Sequence, residues 1–148
     1  MSLSSDPVVE ISVAVGILVR GASVLICQRK RGSRYGLKWE FPGGKRERGE
    51  DDVDTLRREL FEELSIRASD ITHIRTESSS YADGGVFSVR FHLVNAWDGE
   101  CTNNVFEDIR WVEASALGEY DMLAGTIDLC AELPSILASI PKRGADDV

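Results

Sequence analysis

Several residue types are scarce in this 148-residue chain, and each scarcity narrows what it can be. There are three cysteines, Cys27, Cys101 and Cys130, far apart and in no CxxC pair, and only two histidines, His73 and His92. A disulfide scaffold needs more cysteines and a soft-metal cluster needs closer ones, so reduced thiols in the cytoplasm are expected. No apolar run approaches the roughly 20 residues a membrane helix needs. The longest, Val13 to Val19, is broken by Gly16. The first seven residues lack the basic-then-apolar order of a secretory signal. Positive charge is in deficit: 17 Lys and Arg face 25 Asp and Glu, a net charge of −8. That excludes the broad basic surface of a nucleic-acid-polymer binder, though not a small anionic ligand met by a local group of cations.

What remains is an ordinary globular composition, 43% hydrophobic and 28% charged, of a length that suits one core. One domain is expected over residues 9–141, with flexible ends at 1–8 and 142–148, where apolar periodicity is missing. Ile11, Val13, Val15, Ile17 and Val19 alternate as in a strand, and Gly21-Ala22 turns the chain into a second apolar run, Ser23 to Cys27. A basic loop follows, Gln28 to Lys38. Trp39 to Phe41 reads as a short strand stopped by Pro42-Gly43-Gly44. Asp51 to Leu64 reads as a helix, with acids in its first turn and Val53, Leu56, Leu60 and Leu64 in one stripe. Strands are expected over Ile71–Ser80 and Gly85–Ala96, joined by a turn at Asp83-Gly84-Gly85, and over Ile109–Val112. Ala114–Gly118 reads as a helical turn, and Thr126–Ile140 as a helix that Pro134 would kink or split. The pattern is α+β.

The segment from Gly43 to Ile66 carries the chemistry. Glu59, Glu62 and Glu63 stand at i, i+3 and i+4, so at about 100° per residue they leave one side of the helix together. Like charges at that spacing cost about 0.2–0.5 kcal/mol per pair on an exposed helix. A hard cation relieves them, and carboxylates suit Mg²⁺, with Mn²⁺ the alternative. By itself such a helix is more often a solvated acidic face. Upstream, Arg20 to Arg48 holds nine cations against Glu40 and Glu47, a +7 stretch in a −8 chain. Cations for phosphate oxygens beside carboxylates for the bridging metal are what a metal-bound polyphosphate requires.

This segment resembles the Nudix box: Gly, five residues, Glu, seven residues, Arg-Glu, an aliphatic residue, any residue, Glu-Glu, any residue, Gly, an aliphatic residue. Gly44, Glu50, Arg58-Glu59, Leu60, Glu62-Glu63 and Ile66 fall in register, and Ser65 replaces the last Gly. Ser is disfavoured in the left-handed conformation that Gly adopts at a helix end, yet the change touches no acid. The stretches Val13–Gly32, Lys38–Lys45 and Ile109–Val112 are similar to MutT-like nucleoside triphosphate pyrophosphohydrolases.

The resemblance implies a Nudix fold, a mixed β-sheet sandwiched between helices. It implies hydrolysis of a nucleoside triphosphate, a modified or oxidised dNTP among the candidates, to a monophosphate and pyrophosphate. Another nucleoside diphosphate derivative, such as a dinucleoside polyphosphate, or nucleotide binding without cleavage, are the alternatives. Glu59, Glu62 and Glu63, with the Gly44 carbonyl, would ligate the metal. Arg58 would orient the glutamates by ion pairing, and Glu50 would support it. Arg29 and Lys45 match phosphate-contacting positions, and Glu40 and Phe41 positions near the base, although Phe41 can equally be core. The general base would be Glu62 or Glu63, or Glu107 or Asp108 from the loop before Trp111. Tyr81 lies about where dinucleoside polyphosphate hydrolases carry a Tyr. No Asn appears in Leu123–Thr126, where relatives specific for oxidised guanine carry one, although Asp121 or Asp128 would offer a polar contact. The expected protein is a monomer or homodimer acting on a small nucleotide, with no membrane or nucleic-acid partner.

Overall fold

A computed structural model of the chain describes residues 10–80 and 86–140. The ends, the 83–85 turn and Tyr81 lie outside the described residues. In chain order the elements are β1 (Glu10–Arg20), β2 (Ser23–Gln28), β3 (Trp39–Glu40), β4 (Gly43–Lys45), α1 (Asp52–Leu64), β5 (Arg67–Ser80), β6 (Val86–Asp98), β7 (Asp108–Glu113) and α2 (Ile127–Ala138). Single 3₁₀ turns at Ala114–Glu119 and Ala124–Thr126 precede α2.

The described residues gather into two compact units, 10–18 with 41–105, and 19–40 with 106–140. In the first, β1 lies between β4, antiparallel to it, and β6, parallel to it over nine residue pairs. β5 completes the sheet, antiparallel to β6 with three irregular steps in register. The alternation in β1 suggested one buried face, but Ala14, Ile17 and Leu18 are all buried. Ala14 and Leu18 point to one face and Ile17 to the other, so the middle of β1 is buried on both faces. Gly16 packs closely there: a Cβ would lie 3.2 Å from Leu56 and 3.5 Å from Leu60 of α1. Leu56, Leu60 and Leu64 are fully buried, so the apolar stripe is the packing face; Val53 is only half-buried.

The Pro42-Gly43-Gly44 stop is replaced by β4. Gly43, at φ 151°, passes so close to β1 that a Cβ would collide with the Ala14 carbonyl. The close approach that Gly43 permits is therefore to a neighbouring strand.

In the second unit β2 lies between β3 and β7, antiparallel to both. Val24 to Cys27 are buried in succession. The basic loop after β2 folds back on itself, Arg29 N–H donating to the Lys38 carbonyl and Leu37 N–H to the Arg29 carbonyl, both 2.9 Å. Pro134 sits inside a continuous α2, at the loss of one backbone hydrogen bond.

Candidate active site

Helix α1 begins with a reciprocal cap: Asp51 Oδ1 accepts from Asp54 N–H at 2.8 Å, and Asp54 Oδ2 from Asp51 N–H at 3.2 Å. Just before it, Glu50 accepts from Glu47 N–H and from the Thr55 hydroxyl, each at 2.9 Å. This fixes the loop that carries the chain from β4 into the helix.

Arg58 organises the acids around it. Its Nε and Nη2 donate to the two oxygens of Glu50 at 2.7 and 3.0 Å, its Nη1 to Glu59 at 2.8 Å, and its Nη2 also to the Lys45 carbonyl at 3.1 Å. Glu62 and Glu47 lie 3.7 Å away. Hydrogen bonding from the Arg58 guanidinium, more than any other influence, holds the Glu50 carboxyl at about 2, well below its usual 4.5. The same contacts push the guanidinium's own pKa higher. One guanidinium thus faces four carboxylates.

Each of the three helical glutamates stands differently. Glu59 is mostly covered, and a Cβ on Gly44 would fall on its carboxylate. Glu63 accepts from Gly43 N–H at 3.1 Å. Glu62 is 58% exposed and the least restrained. Gly44 lies opposite Ala14 in β4, and Lys45 is exposed beside it. Among the described residues no three acid, His or Cys side chains converge tightly enough to hold an ion, because Glu59 and Glu63 are engaged with Arg58 and with β4. In kind the donors fit a hard divalent cation: all are oxygens, crowded on one helix and backed by glycine.

Other expected site residues stand in the second unit. Arg29 donates to Glu40 at 3.0 Å and to the Arg34 carbonyl at 2.7 Å. Burial raises the Glu40 pKa, and Arg29 partly opposes this. Asp108 opens β7 and is not a loop residue; it pairs with Arg110 at 3.0 Å. Glu107 accepts from Arg31 N–H at 3.1 Å. Asp121 pairs with Lys38, and Asp128 lies in the first turn of α2. Phe41, in the first unit, is 3% exposed. It is core and offers a ligand almost no surface.

Two features of the first unit were not anticipated. One is a polar groove of about 430 Å³ lined by residues that include Arg46, Asp52, His73, Arg90 and His92. It lies at the start of α1, about 15 Å of helix from Glu62. The other is Asn104, whose Nδ2 donates to the Glu62 carbonyl and to Ser65 Oγ. No spacing rule marks a loop asparagine forty residues from its partner, so only the fold could reveal it.

A NUDIX domain profile matches residues 10–129. The chain belongs to the Nudix family. A Mycobacterium tuberculosis protein provisionally named 8-oxo-dGTP diphosphatase 2 is 32% identical over 135 residues, spanning 88% of this chain and 96% of its own. The 8-oxo-dGTP diphosphatase of Haemophilus influenzae is 35% identical over 108 residues, 72% of this chain and 79% of its own. The solution structure of the E. coli ORF135 protein superposes with a TM-score of 0.79 at 25% identity, over 90% of this chain and 95% of that one. A MutT structure from work on Aliivibrio salmonicida and Vibrio cholerae gives 0.73 at 26%, over 86% and 98%. The protein is thus a MutT-like Nudix pyrophosphohydrolase with the α+β Nudix fold.

Proposed function

We propose that this Nudix hydrolase uses a divalent cation, Mg²⁺ or Mn²⁺, to cleave a nucleoside triphosphate to a monophosphate and pyrophosphate. The observation that carries the reading is the excess of carboxylate around Arg58, on the helix that holds Glu59, Glu62 and Glu63. Such an excess is tolerable on a folded helix when a cation completes it. The names of the relatives above make an oxidised deoxynucleotide a leading substrate candidate. No Asn stands in Leu123–Thr126 to bind oxidised guanine, so other triphosphates belong in the same trial.

Glu59, Glu62 and Glu63, with the Gly44 carbonyl, would hold the cation. The chemistry a bound cation supplies is polarisation of the phosphoryl oxygens and of the attacking water. Arg58 keeps Glu59 in place, and Glu50 keeps Arg58 in place. Glu62 or Glu63 takes the proton from water, and Glu62 has the greater freedom to do so. Lys45 and Arg29 would contact phosphate and Glu40 the base, Arg29 being paired with Glu40 at 3.0 Å. We read residues 9–141 as the catalytic domain, and the profile match over residues 10–129 supports that reading. The three free cysteines suit a reducing cytoplasm.

The trial is a panel of normal and oxidised nucleoside triphosphates, with a dinucleoside polyphosphate included, incubated with Mg²⁺. Pyrophosphate plus monophosphate is expected. Orthophosphate alone would overturn the cleavage position, and binding without turnover would make the domain a nucleotide-binding module.

A further inference from the structure

The last turn of α1 carries Glu62 and Glu63, and it ends on a residue poorly suited to the place. Ser65 adopts the left-handed conformation, φ 60° and ψ 32°, where glycine is favoured. A helix end also leaves its final carbonyls without intrahelical partners. Here Ser65 N–H reaches Phe61 O, and the carbonyls of Glu62, Glu63 and Leu64 are met from outside the helix. All three are taken by one short loop of the same unit. Asn104 Nδ2 donates to Glu62 O at 3.1 Å, Asn104 N–H to Glu63 O at 3.1 Å, and Thr102 N–H to Leu64 O at 2.8 Å. Asn104 Nδ2 is also 2.9 Å from Ser65 Oγ, so the amide grips the ill-suited residue as well.

We propose that Asn104 is a positioning residue for the metal-binding turn: its amide fixes the Ser65 end of α1, and through it Glu62 and Glu63. Asn104 is exposed and touches neither carboxylate, so it acts only through the backbone of the residues that bear them. The Asn104–Ser65 contact depends on Ser65, because a glycine at position 65 would reach the left-handed conformation without help and would offer no hydroxyl. The proposal rests on the reading of Glu62 and Glu63 as metal ligands, and one of its measurements does not.

The experiment compares wild type, Asn104→Ala and Asn104→Ala/Ser65→Gly by Mn²⁺ titration, by amide hydrogen exchange without metal and by thermal unfolding. Asn104→Ala should weaken Mn²⁺ binding by about tenfold, the low end for groups that orient metal ligands. It should also speed exchange at residues 62–65 while leaving the remainder of α1 protected. The double variant should recover most of both. Unchanged exchange at 62–65 would overturn the proposal whether or not metal binds. Faster exchange with unchanged Mn²⁺ affinity in a wild type that does bind would reduce Asn104 to a structural cap and overturn its positioning role. No recovery in the double variant would overturn the part given to Ser65. A wild type that binds no Mn²⁺ would instead overturn the functional reading and the metal-positioning role with it, and exchange would still decide whether Asn104 holds the turn.

Discussion

Arg58 shows how one residue can tie a motif together. Its fork geometry meets both oxygens of Glu50 while another nitrogen reaches Glu59. A lysine, as a point charge, cannot span those partners. Arg58→Lys should therefore leave a folded protein with a large loss of kcat, seen in steady-state assays at saturating Mg²⁺. Glu50 gives a stability signature of the same contact. Its folded pKa is lowered from 4.5 to about 2, so its stabilisation is complete above pH 4.5 and is lost as pH falls toward 2. Glu50→Gln should flatten that acid limb in urea unfolding curves taken across this range. Gly43 and Gly44 were legible as special, but the reason was not. Gly43→Ala drives a methyl into the Ala14 carbonyl and should lower stability by about 2 kcal/mol or more, measured by thermal unfolding. Gly44→Ala displaces the Glu59 carboxylate and should cost activity more than stability.

Among the elements, α1 was readable to its last residue and to within one of its first, because acids at its start and leucines at helical spacing are local signals. Its first residue is Asp52, with Asp51 as the cap. β4 was not readable, since three residues containing two glycines look like a turn until a neighbouring strand is there to pair with. The groove at the start of α1 was invisible for a similar reason: His92 comes from β6, His73 from β5 and Asp52 from the helix. His92 is 3% exposed. Burial pushes its pKa below the ordinary 6.5, and His73 adds to this, while the attraction of Asp52 partly opposes it. Arg90 lies beside it, bonded to Asp52 at 3.1 Å. With a lowered folded pKa, the unfolded chain binds the proton more readily. Stability should therefore be full above pH 6.5 and decline as pH falls through the folded pKa. His92→Gln should remove that component, which pH-dependent urea midpoints would register.

For the molecule as a whole, the net charge of −8 conceals a +7 stretch before an acidic helix. Part of that stretch is spent internally, Arg29 on Glu40 and Lys38 on Asp121, while Lys45 and Arg46 remain exposed. The scattered cysteines also have a whole-molecule consequence. Cys27 and Cys130 are buried and Cys101 is partly exposed. A thiol reagent should modify Cys101 first in the native state and the other two only on unfolding, which mass spectrometry of timed samples would show. Reaction of all three at one rate would mean that the native cores open as readily as the surface.

The sequence by itself determined the family, and the helix on which Glu59, Glu62 and Glu63 stand, because box spacing and helical periodicity are properties of neighbouring residues. Tertiary structure decided the rest. It made Phe41 core, paired Arg29 with Glu40, set the reason for Gly43 and Gly44 and brought Asn104 to the end of α1. Those outcomes depend on which backbone groups and side chains meet across tens of residues, where buried area and unsatisfied hydrogen bonds select the partners and local pattern does not.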